Sequence, residues 1–279
     1  MIDQAPFLFS VDVEDPRLSI EGGERLAPRV PELIETYLDF LEAREARATF
    51  FVVGEVARRH PEMVKRIASA GHEIACHSDR HIVLGDQDPS SFRADLLRNV
   101  EAIEAAGADR PIGYRAPCFS LTKKSCWAYP ILAELGFSYS SSILPAPSPI
   151  HGWAGFGPNP RPIANVLELP VSLHSRWLPL PLGGVYLRVL PMPLIVAAFR
   201  RRRRLGQAIL SYVHPYDIDP DEEGHAHPGF SRWSPYNGLM RLNRRNMMAR
   251  LEALSKLGLT FQSYGAYAES VRREIDFRG

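Results

Sequence analysis

The sequence predicts an α/β protein of barrel type, and three observations carry that prediction. Short apolar runs alternate with amphipathic helical stretches through the first half of the chain, the pattern of parallel βαβ units. The acids Asp12 and Glu14 and the histidines His77 and His81 fall at the C-terminal ends of predicted strands, where a β/α barrel places its chemistry. The 279 residues, 45% hydrophobic and 23% charged, suffice for a large core, and no repeat, low-complexity segment or linker divides them. One domain is therefore expected over residues 1–279, with its core from about Phe7 to Tyr264.

The elements follow in order. Phe7–Val13 alternates as a strand, with Phe7, Phe9, Val11 and Val13 on one side and Leu8, Ser10, Asp12 and then Glu14 on the other. Residues Val30 to Glu45 carry a helical stripe of Val30, Leu33, Ile34, Tyr37, Leu38 and Leu41. Ala48–Val53 is a compact buried strand ending at Gly54. Pro61 opens a second helix that Gly71 closes, and His72–His77 is a third strand. Ser90 or Ser91 caps a helix with Leu96, Leu97, Val100 and Ile103 on one face, ending at Gly107. Ile112–Arg115 is a fourth strand, Leu121–Leu135 a helix and Phe137–Ser141 a fifth strand. From Pro145 to Gly184 the pattern gives way to Pro, Gly and Trp, with Val166–Leu169 and Val171–Leu173 as short strands around Pro170. Ala208–Val213 is a late strand that His214 follows directly. A loop from Pro215 to Gly238 leads to a long helix over Leu239–Leu257, and Thr260–Tyr264 closes the chain as a strand.

Composition narrows the function classes. A formal charge of +1 argues against bulk electrostatic binding of nucleic acid. Three cysteines (Cys76, Cys118, Cys126) cannot make a full disulfide framework, which points to a reducing compartment. The N-terminus lacks the basic and apolar regions of a signal peptide, and no apolar run approaches the roughly 18–20 residues that span a bilayer. A cytoplasmic protein, peripheral at most to the inner membrane face, is expected.

The chemistry concentrates in His77-Ser-Asp-Arg-His81. On a helical turn, two histidines four apart sit about 5–6 Å apart at Cβ, close enough for both imidazoles to reach one cation. That spacing alone also fits surface or capping histidines, and Asp12 and Glu14 also fit a strand ending in solvent. Together, a strand-end acid pair and two spaced histidines are what hydrolytic metal sites are made from.

The ordered set Ser10-Val-Asp12-Val-Glu14, His77-Ser-Asp-Arg-His81, Tyr114-Arg-Ala-Pro-Cys-Phe119 and Tyr212-Val-His214-Pro resembles the polysaccharide deacetylase family. This is carbohydrate esterase family 4, the NodB-homology domain. Within it, the motifs are similar to the branch found with exopolysaccharide and surface-polysaccharide biosynthesis genes. The resemblance runs from about Phe7 to Tyr264. It implies a distorted (β/α)7-type barrel and metal-dependent hydrolysis of an N-acyl group, N-acetyl first, on a sugar or polysaccharide that is free or lipid-linked. It makes Asp12 the catalytic base and Glu14, His77 and His81 the ligands of a divalent metal, zinc first among candidates. It makes Arg115 the residue orienting the base and His214 the general acid.

General chemistry supports those roles. A cation polarises an amide carbonyl and acidifies water, and a free carboxylate takes the water's proton while a nearby arginine steadies it. A histidine supplies the proton that the leaving amine needs. Tyr114, Pro117, Phe119, Trp153 and Trp233 are expected to form the wall on which a sugar ring rests, with core packing the competing reading for Tyr114.

Two positions depart from the family pattern. Glu14 stands where many members carry an aspartate ligand, with Asp15 adjacent. Ser140 stands where relatives often place the aspartate that supports the acid histidine, and Asp217 substitutes only if its loop folds back. The run Arg200–Arg204 after Leu194–Phe199 reads either as a solvated helix end or as a contact for anionic lipid or a phosphorylated carrier. His72, His151 and His174 receive no role, His225 and His227 fall in a loop that fringes the cleft, and Cys76 reads as a small buried residue. Two rival functions keep the fold: hydrolysis of a small non-sugar amide, with or without metal, and a carbohydrate-binding relative with a decayed site. Oligomeric state is open.

Overall fold

The computed structural model describes residues 5–20, 22–148, 150–221 and 235–278. Among these residues nine strands form one sheet: β1 (Pro6–Val13), β2 (Thr49–Val52), β3 (Glu73–Cys76), β4 (Gly113–Tyr114), β5 (Tyr139–Ser140), β6 (Arg161–Ile163), β7 (Val166–Glu168), β8 (Ile209–Val213) and β9 (Thr260–Phe261). Seven of them lie parallel in the order β7-β5-β4-β3-β2-β1-β8, with β6 antiparallel on β7 and β9 beside the start of β1. The ring closes through the segment after β7. There Ser172 N donates to Leu210 O at 3.1 Å, and Leu210 N donates to Ser172 Oγ at 3.0 Å. The result is the expected α/β distorted barrel of mostly parallel strands.

The alternation of β1 explains its placement. Phe7, Phe9, Val11 and Val13 pack outward against α1 (Val30–Glu42), whose buried residues include all of the predicted stripe. Leu8 points inward with Phe51, Ala75, Tyr139, Leu167 and Leu210 to fill the barrel. Ser10 and Asp12 share that inward direction nearer the mouth, so polar groups sit above an apolar floor.

The other helices are α2 (Gly54–Arg59), α3 (Pro61–Ser69), α4 (Pro89–Ala105), α5 (Ala128–Glu134), α6 (Gly184–Val189), α7 (Met192–Arg204), α8 (Pro235–Arg241), α9 (Met247–Ser255) and α10 (Tyr264–Arg278). The cap of α4 is Asp88, whose carboxylate accepts from Ser90 N and Ser91 N, both at 2.8 Å, so the cap falls just before the predicted serines.

Several expectations need correction. The helix predicted over Leu239–Leu257 is two helices, α8 and α9, interrupted at Asn243, whose φ of 63° is left-handed. Val171–Leu173 forms no strand and contributes one bridge, Leu173 to Pro181. The closing strand stops at Phe261 because Tyr264 opens α10. Tyr264 N donates to Thr49 Oγ1 at 2.8 Å and Gly265 N to Glu73 Oε2 at 2.9 Å, so β2 and β3 side chains satisfy the free amides of that helix start. A Cβ on Gly265 would lie 2.5 Å from Glu73 Oε1, which explains the glycine.

The arginine run is the last turn of α7, and two of the five are engaged. Arg202 donates to Ala208 O and Arg203 to Leu257 O at 2.6 Å, leaving Arg200, Arg201 and Arg204 to face outward. Because α7 leads into the first residue of β8 and His214 follows its last, the run lies at the opposite end of the sheet from His214. No helix among the described residues is long and apolar enough to cross a membrane.

Candidate active site

The barrel mouth gathers Asp12, Glu14, His77, His81, Arg115 and His214. Glu14, His77 and His81 each present one ligand atom, and these atoms lie within 4.8 Å of one another. His81 Nε2 is 2.5 Å from Glu14 Oε2, and His77 Nε2 is 4.0 Å from both Glu14 Oε2 and Asp12 Oδ2. Two imidazole nitrogens and one carboxylate oxygen suit a borderline divalent cation. The tautomer fits as well. His77 Nδ1 lies 2.8 Å from Arg115 O, so Nδ1–H donates to that carbonyl and the Nε2 lone pair is left facing Glu14 and His81.

The two histidines do not share a helical turn. They flank a loop in which Ser78 (φ 67°) and His81 (φ 55°) adopt left-handed backbone conformations, and their ring centroids stand 5.0 Å apart. Such conformations persist where the surroundings impose them. Here Asn99 on α4 donates from Nδ2 to Ser78 O at 2.7 Å and to Val52 O at 2.8 Å. Asp95 Oδ2 accepts from Asp79 N at 2.9 Å, and Ser78 Oγ accepts from Ile82 N at 3.2 Å.

Asp12 is held from one side only. Arg115, fully buried, donates from one guanidinium nitrogen to Asp12 Oδ1 at 2.5 Å and to Ser10 Oγ at 2.8 Å. Its Nε donates to Ser141 O at 3.1 Å, and its guanidinium lies over the Phe51 ring at 3.9 Å. Asp12 Oδ2 is left facing the ligand cluster.

His214 is where the structure departs most usefully from the sequence. Its Nδ1 sits 2.9 Å from Asp217 Oδ2, and Asp217 Oδ1 accepts from Arg188 Nε at 2.6 Å. The ring stacks on Tyr216 at 4.6 Å, and Nε2 lies 3.8 Å from Glu14 Oε1. The loop therefore does fold back, and Asp217 supports the histidine. Ser140 instead bonds Ser142 Oγ at 2.8 Å beside buried Glu168, whose Oε1 accepts from Ser142 N and Ile143 N. An aspartate at position 140 would meet Glu168, not His214.

Charge follows from these contacts. Burial pushes the Glu14 carboxyl up, but the imidazoles of His81, His214 and His77 outweigh it and hold it well below the usual range. Burial lowers His77 to about 4 despite nearby Asp12, which keeps it neutral and ready to ligate. His81 is raised, because Glu14 overcomes its burial. His214 rises to about 9, its burial outweighed by Asp217 first and then by Glu14 and Asp12. Burial and the carboxylates of Glu14 and Asp12 push the neighbouring Cys118 thiol up to about 12, leaving it a neutral thiol.

The four described residues of the expected sugar wall do not lie together. Tyr114 is fully buried against Phe92 and Phe137, a core residue. Pro117 is buried, and Trp153 packs on Phe156 at 5.0 Å as part of the second core. Phe119 lies against Tyr212 at 4.7 Å and beside Arg115, so of the four described residues it is the one next to the site. Trp233, His225 and His227 lie outside the described residues. Sequence reasoning passed over Ser10, Ser141, Arg188 and Glu168. Each is a buried polar residue, and Ser10 and Glu168, inside apolar runs, are the two with a signal of their own.

Residues 23–139 match the polysaccharide deacetylase family model, and residues 141–266 match DUF3473, a domain of unknown function. The chain is thus similar to polysaccharide deacetylases over its first segment and to DUF3473 over its second. The site draws on both: His77, His81 and Arg115 come from the first segment, His214 and Asp217 from the second, and Asp12 and Glu14 precede either match. A peptidoglycan-N-acetylglucosamine deacetylase of Bacillus cereus is 33% identical over 86 residues, 31% of this chain and 31% of that protein. The chain thus matches about a third of the length of that curated relative. A structure described as a polysaccharide deacetylase from Mycobacterium smegmatis is 24% identical, covers 98% of this chain and 92% of its own, and has a TM-score of 0.66. A family 4 carbohydrate esterase from Streptomyces lividans, solved with acetate, is 17% identical over 92% of this chain and 91% of its own, with a TM-score of 0.50. Those two structures share the fold.

Proposed function

We propose that this protein is a metal-dependent deacetylase that removes an N-acetyl group from a sugar in surface-polysaccharide or glycolipid assembly. The observation that carries the reading is the meeting of Glu14, His77 and His81 beside a carboxylate and a histidine that remain outside the ligand set. A divalent cation held by those three residues, zinc first among candidates, would supply Lewis acidity to an amide carbonyl and acidify water. Asp12, fixed at Oδ1 by Arg115, offers Oδ2 as the base that takes the proton from water. His214, its Nδ1–H directed at Asp217, presents Nε2 over the same cluster and delivers a proton to the leaving amine nitrogen. Phe119 and Tyr212 form the apolar edge nearest that path. The preserved cluster favours this reading over a metal-independent amidase or a decayed binding protein.

The test pairs metal content with acetate release from N-acetylglucosamine oligomers. The purified protein should hold one divalent ion per chain, and His77→Ala and His81→Ala should each lose both the ion and activity while keeping the wild-type circular dichroism spectrum. Full metal content in both variants would place the ion elsewhere.

A further inference from the structure

Beside the ligand loop lies a second feature that the hydrolytic chemistry does not use. An open surface hollow of about 360 Å³ is lined by Glu55, Arg58, Arg59 and Arg80. It is tied to the active site through the backbone: Gly54 N donates to Ser78 O at 3.1 Å and Glu55 N to Asp79 O at 2.9 Å, joining α2 to the loop that carries His77 and His81. Arg80 is the residue before His81, 3.8 Å away along the chain.

The arginines are arranged in advance. Asp79, its side chain only 2% exposed, pairs its Oδ1 with Arg58 at 2.7 Å as an ion pair and accepts a hydrogen bond from Arg98 Nε at 3.2 Å through Oδ2. Glu55 pairs with Arg59 at 2.9 Å. Arg80 is exposed and has no partner among the described residues. Three arginines therefore line one depression, two of them already paired with a carboxylate and Arg80 adding the unbalanced positive charge. An anion would complement that excess charge, and the planar forks of arginine match the oxygens of a phosphate.

We propose that Arg58, Arg59 and Arg80 form an anion subsite beside the His77–His81 loop that takes a phosphate group carried by the substrate. The subsite adds a substrate class to the function proposed above, and rests on that reading only for the statement that the phosphate belongs to the molecule being deacetylated. Binding itself requires no turnover.

Calorimetric titration of the metal-loaded protein with inorganic pyrophosphate tests it. Arg80→Gln and Arg59→Gln are the informative variants, since neither residue touches the buried Asp79. Each should weaken binding on the order of tenfold, the loss expected for a charge-assisted hydrogen bond, and added salt should weaken binding in the parent protein. His81→Ala should leave pyrophosphate affinity intact. Three results would overturn the proposal: equal binding by the Arg59→Gln/Arg80→Gln double variant, loss of binding in His81→Ala (the anion then sits on the metal), or citrate binding as tightly as pyrophosphate (the site then reads charge alone). Capture by phosphatidylglycerol vesicles without pyrophosphate binding would equally overturn it, in favour of a lipid surface. Because these are binding readouts, they stand or fall separately from acetate release.

Discussion

Asp217→Asn separates the support of His214 from the rest of the site. Asp217 is fully buried between two partners, Arg188 Nε at 2.6 Å and His214 Nδ1 at 2.9 Å, and His214 N also donates to it at 2.8 Å. Asparagine keeps the shape and removes the charge. Asp217 leads the interactions that raise His214 from the ordinary 6.5 to about 9 against its own burial. Without it, only Glu14 and Asp12 oppose burial, and the imidazole should titrate well below 9. The gap between 6.5 and about 9 corresponds to about 3 kcal/mol. Its sign follows from linkage: a histidine raised in the folded state stabilises fully below about pH 6.5, and that contribution is lost as pH rises through about 9. The variant also leaves Arg188 buried without its carboxylate, a loss of roughly 3–5 kcal/mol that does not depend on pH in this range.

The variant should therefore be destabilised at every pH, and by about 3 kcal/mol more at pH 6 than at pH 9.5. Urea unfolding of the metal-free protein at the two pH values measures that difference, and NMR of labelled histidine follows His214 directly. In the active enzyme the alkaline limb of acetate release should move to lower pH, and Asp217→Glu should restore part of it. If folded Asp217→Asn still shows His214 titrating near 9, or the same destabilisation at both pH values, Asp217 does not set the protonation of this histidine.

Three further outcomes are expected. Asp12→Asn should retain metal and fold while losing on the order of 10²-fold or more in turnover; near-normal turnover would move the base to Asp15. His72 is pushed down to about 4 by burial, with Arg47 and Arg66 adding to it. The unfolded chain then takes up a proton between about pH 6.5 and 4 that the folded chain refuses, removing up to about 3 kcal/mol of stability as pH falls. His72→Asn should flatten that acid limb of urea unfolding, and an unchanged limb would put the loss elsewhere. Arg200, Arg201 and Arg204, at about 1 kcal/mol each near an anionic surface, should give weak, salt-sensitive sedimentation with anionic vesicles that glutamine substitution abolishes. Equal partitioning of the glutamine variant would leave them a solvated helix end.

What the sequence revealed and what it hid divide along physical lines. Alternation in Phe7–Val13 and the stripe from Val30 to Leu41 report burial directly, so β1 and α1 were legible. His77, His81, Asp12 and His214 were legible because ionisable residues at the ends of apolar runs are costly without a partner. The partner of His214 was legible only as a conditional substitute. Asp217 reaches its histidine through a turn only three residues long, and the family pattern drew attention to Ser140, across the barrel from that turn. Tyr114 follows the core reading for a related reason: it neighbours Arg115 on a strand and so faces the opposite side of the sheet. The break at Asn243 was invisible because a left-handed asparagine carries no hydrophobic signature.

Strand register explains why residues so distant in sequence form one centre. Val13 pairs with Val52, and Val52 with Cys76, so the next residues, Glu14 and His77, leave β1 and β3 on either side of β2 at the same height. Val11 pairs with Val213, which sets His214 beside Asp12. Cys76 pairs with Tyr114, which puts Arg115 level with His77 and lets His77 Nδ1 donate to the Arg115 carbonyl. A slip of one residue in any pairing would turn that strand's chemistry toward the helices. The outward Phe7, Phe9, Val11 and Val13 oppose such a slip in β1, because it would drive four large apolar side chains into the barrel and their polar neighbours into the outer core. The same alternation that buries the outer core thus fixes the geometry of the site, and the DUF3473 segment contributes its histidine by pairing in that register.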